Sequence, residues 1–337
     1  MPPSRVTQAD VARLAGVSQA TVSLVLNGEA ERVGAGTRQR VLDAISRTGY
    51  SANPVAQRLA RGRNGIVGVF AYEPVFPRGG GDFYHPFLVG IETAAERCGS
   101  DLLLFTSAPV EGGRRRLSGQ VRSHLRVTDG CVLLGRAEDK AELVELINDG
   151  FPFVFVGRRE LPGNAELPYV GADYVGATRE VVELLLGLGH ERIGFVGETS
   201  GRESLLDRLA GYRAAMRAAG LRPTSFDSAE LTADEIVDLA ADNHLTGLVL
   251  AESQLAGAVR DAAAARGLDV PGDLSIAVLG QPEVPVADDP LAWTGFRIPR
   301  ERMGEEALNL LVELIGSDTR PAEMHRLLPC RVERGES

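Results

Sequence analysis

Gln19, Ala20, Ser23, Leu24 and Asn27 are one, three and four positions apart, so a helix would present them on one outward surface. The carboxamide of Gln19 can pair with the edge of adenine, and the small apolar groups of Ala20 and Leu24 suit thymine methyl groups in a DNA major groove. That chemistry requires a helix held clear of its own domain. The surrounding stretch TQADVARLAGVSQATVSLVLNG, residues 7–28, predicts one. Thr7 is a good N-cap, and Asp10 supplies a capping-box carboxylate at the positive end of a first helix. Val11, Leu14 and Ala15 form its apolar face, and Gly16 ends it. Ser18 caps a second helix, whose Val22, Val25 and Leu26 form the buried stripe. Two short helices about a glycine turn form a helix-turn-helix. A third helix is signalled by Thr37 as cap, with Val41, Leu42 and Ile45 on one face and Gly49 at its end.

Charge is unevenly divided. The chain of 337 residues carries a net −10, yet residues 1–63 hold nine arginines against Asp10, Glu29, Glu31 and Asp43, a net of +5 that leaves −15 for the remainder. A basic head on an acidic body is what phosphate binding by the head predicts. Residues 51–65, SANPVAQRLARGRNG, predict a helix of about two turns with Asn53 as cap and Pro54 in the first turn. So short a helix is marginal alone and should order only against a partner. Val55 and Leu59 share one of its faces and could pack against a second copy.

After Gly65 the pattern alternates. Apolar strands are predicted at 66–72, 101–107, 130–135 and 151–157, and a second series at 168–173, 192–197, 247–251 and 274–280. Amphipathic helices are expected between them, near 84–99, 112–126, 137–149, 174–189, 202–220, 232–244 and 253–266. Such strands with crossover helices imply parallel sheets covered on both faces. Two series imply two doubly wound subdomains, with a ligand cleft at the carboxyl ends of their strands. No apolar run approaches the roughly 18 residues of a membrane span, the polar N-terminus is unlike a signal peptide, and a cytoplasmic protein is expected. Cys98, Cys131 and Cys330 have no metal-like spacing and fit a reducing compartment. With no nucleophile elbow or P-loop, and with His85, His124, His190, His244 and His325 in no constellation, neither enzyme, metal site nor cofactor is expected.

The segments quoted for the head, together with NPVAQRLARG, LLGLGHERIGFVG, RLAGYRAAMRAAG, VPGDLSIAVLG, RMGEEALNLL and LLPCRVERG, resemble LacI/GalR-type bacterial transcriptional regulators along essentially the whole chain. The resemblance implies a small all-α helix-turn-helix head (1–50), a hinge helix (51–64) and an α/β core of the type I periplasmic-binding-protein kind. The core would divide into an N-subdomain (65–160 and 296–318) and a C-subdomain (161–295 and 319–337). Chain crossings are expected near Gly157–Pro162, Pro290–Arg297 and Ser317–Arg320. A homodimer, with a tetramer not excluded, would bind double-stranded palindromic operator DNA at the bacterial nucleoid, most simply as a repressor. Gln19, Ala20 and Leu24 match base-reading positions; Thr7, Ser18, Thr21, Ser23 and Asn27 complete the DNA surface, with Thr21 and Ser23 on phosphates. Leu59 matches a hinge leucine that wedges into the minor groove, flanked by Asn53, Val55 and Arg58. Position 24 is commonly arginine in that family, so Leu24 predicts an operator with thymine or another methylated base facing it.

For the effector, Phe83, Tyr84, Arg158, Arg202, Arg208, Glu252, Gln281 and Trp293 fall at or near positions lining the family's pocket. Aromatic faces stack on sugar rings and arginines fork onto hydroxyls or carboxylates. Glu252–Ser253 stands where many members have Asn-Asp, and Leu279–Gly280–Gln281–Pro282 where they have Gly-Phe-Asp-Asp. A mono- or oligosaccharide effector is expected, with a nucleobase-like effector as the alternative. A sugar-binding protein without DNA function is the other reading. The residues leave open whether ligand releases DNA or promotes its binding.

Overall fold

The computed structural model describes residues 6–26, 30–50, 64–76, 83–136, 139–163, 166–281, 292–316 and 321–337. They fall into two compact units, Met1–Gly65 and Ile66–Ser337.

In the head, α1 (Gln8–Ala15), α2 (Gln19–Leu26) and α3 (Ala35–Thr48) enclose Val11, Ala12, Ala15, Val22, Val41 and Ala44. The capping box is present: Asp10 N–H donates to Thr7 Oγ1, while Thr7 N–H and Oγ1–H donate to Asp10 Oδ2 at 3.0 and 2.6 Å. Gly16 takes φ +65°, the left-handed turn that directs α2 away from α1. Three details differ from expectation. Ala12, not Leu14, joins the core, and Leu14 and Leu42 are 46% and 42% exposed. In so short a helix the packed stripe is narrow, and the small Ala12 lets α1 approach its neighbours closely. Gly34, not Thr37, occupies the cap position of α3, and Thr37 inside the first turn accepts from Arg40 Nη2.

The second unit is two six-stranded sheets. The first contains β1 (Ile66–Ala71), β2 (Asp101–Phe105), β5 (Gly130–Leu134), β6 (Phe153–Val156), β7 (Tyr169–Ala172) and β13 (His325–Leu328) in the order β13-β7-β6-β5-β1-β2, all parallel. The second contains β8 (Ile193–Val196), β9 (Thr224–Phe226), β10 (Gly247–Leu250), β11 (Ser275–Gln281), β12 (Thr294–Arg297) and β14 (Arg331–Glu333), ordered β14-β12-β11-β10-β8-β9, with only β14 antiparallel. A small hairpin pairs β3 (Val110–Glu111) with β4 (Arg114–Arg115). It takes up part of the expected helix at 112–126, which shrinks to α5 (Gly119–Leu125).

Helices α4 (His85–Cys98) and α11 (Arg300–Gly316) cover one face of the first sheet and α5 with α6 (Lys140–Asn148) the other. On the second sheet α7 (Tyr174–Gly187) pairs with α8 (Glu203–Ala218), and α9 (Ala233–Asp242) pairs with α10 (Ala256–Ala265) on the opposite face. Where α4 meets α11 the backbones nearly touch: a Cβ added to Gly90 would lie 1.9 Å from Glu301 O, and one on Gly304 2.1 Å from Phe87 O.

Strand membership moves the subdomain boundaries. β7 pairs with β6, so the first crossing follows Ala172 rather than falling at 157–162. β12 still belongs to the second sheet and α11 packs on the first, which sets the second crossing between Arg297 and Arg300. The third lies between β13 and β14, past Leu328, not at 317–320. An apolar run predicts a strand but not which sheet it joins, because pairing is decided by distant neighbours.

Candidate functional site

Two surfaces were expected to carry function, and each is built within one unit. In the head, Ser18 stands before α2: its Oγ accepts from Thr21 N–H at 3.2 Å and lies 2.9 Å from Thr21 Oγ1. Gln19 and Ala20 are exposed and Thr21, Ser23 and Leu24 half-buried. Gln19 Nε2 donates to Gln8 Oε1 at 3.3 Å, so the first residues of α1 and α2 are joined by their side chains. Thr7 is engaged by Asp10, whose carboxyl is held below the usual aspartate range by the Thr7 hydroxyl first and the Thr7 N–H next. No charged side chain belongs to α2. Asn27, Asn53, Val55, Arg58 and Leu59 lie outside the described residues.

The core holds a cleft of about 450 Å³ lined from both sheets. Its walls are the segments just past the strands' carboxyl ends: Gly135–Arg136 after β5, Gly157–Arg159 after β6, Glu198 after β8, Ala251–Glu252 after β10, and Ile298 with Arg300 after β12. Phe83, Tyr84, Arg158, Arg202, Arg208 and Glu252 all line it.

Tyr84 is 6% exposed and donates its hydroxyl to Glu73; burial and that carboxylate push the phenol well above its ordinary range. Phe83 stands edge-on to Tyr84, ring centroids 5.0 Å apart, with the guanidinium groups of Arg300 and Arg136 over its ring at 4.7 and 5.4 Å. The platform expected for a sugar ring therefore already carries two cations. Arg202 precedes α8 and reaches Glu198 at 3.8 Å. Arg208, 6% exposed, lies over Tyr174 at 4.0 Å, and a Cβ on Gly280, at φ +85°, would fall 2.8 Å from its Nη2. Gly280 thus leaves the room this arginine occupies.

Two expected residues do not line the cleft. Trp293, 9% exposed, packs among Val196, Leu250, Val259 and Val278 in the core beneath α9 and α10. Gln281 is buried at the end of β11 and donates to the Trp293 carbonyl at 3.0 Å. Trp293 immediately precedes β12, an inner strand between β14 and β11, and its side chain joins the core under α9 and α10, while Gln281 is tied to its carbonyl rather than turned into the cleft.

Arg136, Arg159, Tyr174, Asp207 and Arg300 were not anticipated, although Arg136, Arg159 and Arg300 all stand within three residues of a strand end, where open α/β sheets place ligands. Two sets of contacts join the lobes. Arg158, from the β6–β7 loop, grips Asp207 of α8 with Nη2 and Nε at 2.6 and 2.9 Å. Beside it Glu203, 5% exposed, accepts from Lys140 Nζ at 2.7 Å and Glu160 N–H at 3.0 Å, with Arg159 Nε 4.0 Å away. Burial pushes the Glu203 carboxyl up, but these partners outweigh it and hold it below the usual glutamate range.

A helix-turn-helix head and a two-lobed core with a cleft define a DNA-binding regulator of the ligand-sensing class. Residues 7–53 match the bacterial regulatory proteins of the lacI family, and residues 182–337 match the periplasmic binding protein-like domain. The chain is 31% identical to the HTH-type transcriptional regulator CelR of Thermobifida fusca over 93% of both chains. It is 32% identical to the HTH-type transcriptional regulator MalR of Streptomyces coelicolor, covering 98% of this chain and 96% of that one. The protein belongs to the LacI family of bacterial transcriptional regulators. Among solved structures it is similar to a CelR–cellobiose complex, with TM-score 0.64, 29% identity and coverage of 99% and 100%. It shares the fold of a lac repressor dimer bound to operator and an anti-inducer, at TM-score 0.70, 22% identity and 99% coverage of both. Among the described residues no helix is long and apolar enough to cross a membrane.

Proposed function

We propose that this chain is a non-enzymatic cytoplasmic repressor that binds a palindromic operator as a homodimer and answers to a sugar in its cleft. The reading is carried by one observation: a single chain joins a helix whose exposed Gln19 and Ala20 suit base edges to a cleft walled by strand ends from two lobes. Support for a sugar comes from the similar regulator solved with cellobiose, and for operator binding from the repressor dimer solved on DNA. Gln19, Ala20 and Leu24 read bases, Thr21 and Ser23 contact phosphates, and Thr7, Ser18 and Asn27 complete the DNA surface. Asn53, Val55, Arg58 and Leu59 serve the minor groove, where Leu59 unstacks the central step. Ligand closes or opens the lobes and thereby shifts the population of DNA-competent dimers.

Fluorescence anisotropy with a palindromic fragment from the protein's own upstream region tests this reading, with and without cellobiose and other saccharides. Sequence-specific binding altered by a saccharide is expected. Equal affinity for a scrambled fragment at moderate salt would overturn the reading.

A further inference from the structure

Among the described residues the cleft is lined by six arginines, Arg136, Arg158, Arg159, Arg202, Arg208 and Arg300, against three carboxylates, Glu198, Asp207 and Glu252. The carboxylates already have partners. Asp207 is forked by Arg158, Glu198 lies 3.8 Å from Arg202, and Glu252 accepts from Gln254 Nε2 at 3.0 Å. Arg159 is turned to the carbonyls of Arg158 and Gly135 at 2.7 and 2.8 Å and to Glu203. Among the described residues, neither Arg136 nor Arg208 has a carboxylate within ion-pair distance.

Arg208 is the telling case. It is 94% buried, its Nη1 donates to the Ser204 carbonyl at 2.6 Å, and its Nε meets no acceptor. A buried cation is costly unless a charge of opposite sign meets it. A neutral sugar also needs acceptors for its hydroxyl protons, and an arginine offers only donors. A wall so rich in donors suits a group that only accepts.

Resting on the reading of this cleft as a sugar site, we propose that its ligand is a polyol bearing an acidic group, a carboxylate or a phosphate. Arg208 grips that group and Arg136 adds to the field. Guanidinium forks match both anions in shape, and the bonds are charge-assisted. The lobe-joining pairs on Asp207 and Glu203 hold Arg158 and Arg159 in place, so the anion meets Arg208 without competition from these two.

Isothermal titration of the full chain tests the proposal with matched probes: glucose, galactose and mannose against their uronates and 6-phosphates, and cellobiose against cellobionate. At least one charged probe should bind about tenfold or more tightly than its neutral parent. Its affinity should fall as NaCl rises from about 50 to about 500 mM. The uronate and phosphate arms decide which anion is meant. Arg208→Gln should remove most of the advantage of the charged probe, read as the ratio of its affinity to that of its neutral parent measured on the same variant. Arg136→Gln, at an exposed position, should reduce it by a smaller factor and covers the case in which the Arg208 variant fails to fold. Neutral parents binding as tightly as their acids, or no charged probe binding at millimolar concentration, would overturn the proposal. Operator binding that responds to a neutral sugar alone would sink it and leave the regulator reading intact. Tight binding of an acid without any operator binding would do the reverse.

Discussion

The recognition helix and the cleft use arginine in opposite ways. Residues 1–63 are the basic part of the chain, yet α2 holds no charged residue at all; the remainder is strongly acidic, yet among the described residues six arginines wall its cleft. Average charge therefore says which part of the molecule is drawn to phosphate over a long range, and says nothing of where contact is made. In the proposed reading of α2, specificity falls to an amide and to apolar groups that fit by shape. In the cleft, charge has been withdrawn from water, where each pair counts for more.

The largest effect that could break this contrast is expected in the cleft. Among the described residues Asp207→Asn leaves Arg158 with only the exposed Glu160 as counter-ion, and it should lower core stability by about 2–3 kcal/mol in urea unfolding. A loss no larger than that of a typical surface pair would mean the cleft's charges are screened like those of the head. Next comes Leu24→Arg, which gives α2 the group it lacks. Selection of half-sites from a randomised pool should then favour guanine at the facing position by about 1–3 kcal/mol, where the parent protein favours thymine. Unchanged selection would remove Leu24 from the reading surface.

The smallest effect is that of pH on Glu203. Its carboxyl is held below the usual glutamate range, so the unfolded chain takes up the proton first as pH falls. The stabilisation is complete above that range and lost as pH drops through the lowered value. Urea midpoints of the parent protein and of Glu203→Gln should differ at neutral pH and converge on acidification. Asp10 of the head is lowered too, but it lies at the surface, and Asp10→Asn should show a smaller convergence. Equal convergence at both sites would erase the distinction between buried and exposed charge.

Much of this was legible in the sequence because it is local. Capping residues, a turn glycine and apolar periodicity placed α1, α2 and the main strands of both sheets. Sheet membership was not local: β7, whose PYVGAD run reads like any core strand, takes its sheet from β6 and β13. Leu14 and Leu42 misled for a related reason, since three-to-four spacing does not tell the packed stripe of a helix from its flank. Six of the eight expected effector residues line the cleft. Trp293 failed because nearness to a crossing in sequence does not fix which face of the sheet a side chain meets, and Gln281 because its place in a family motif does not fix where its amide turns. The arginines past β5, β6 and β12 could have been found from strand ends alone. The Arg158–Asp207 grip could not, because it joins residues 49 positions apart through two separate sheets.

The interlocked glycines of α4 and α11 bear on how a small displacement could travel. Gly90 and Gly304 set backbone against backbone, leaving no side chains between the two helices at that point to deform or change rotamer. The pair therefore acts as a welded joint rather than a bearing. α11 begins three residues after β12 ends, so this short link ties the second sheet directly to the helix pair on the first. A methyl group at either glycine would be a shim in that joint, prising the helices apart and dulling the response to ligand even where ligand still binds.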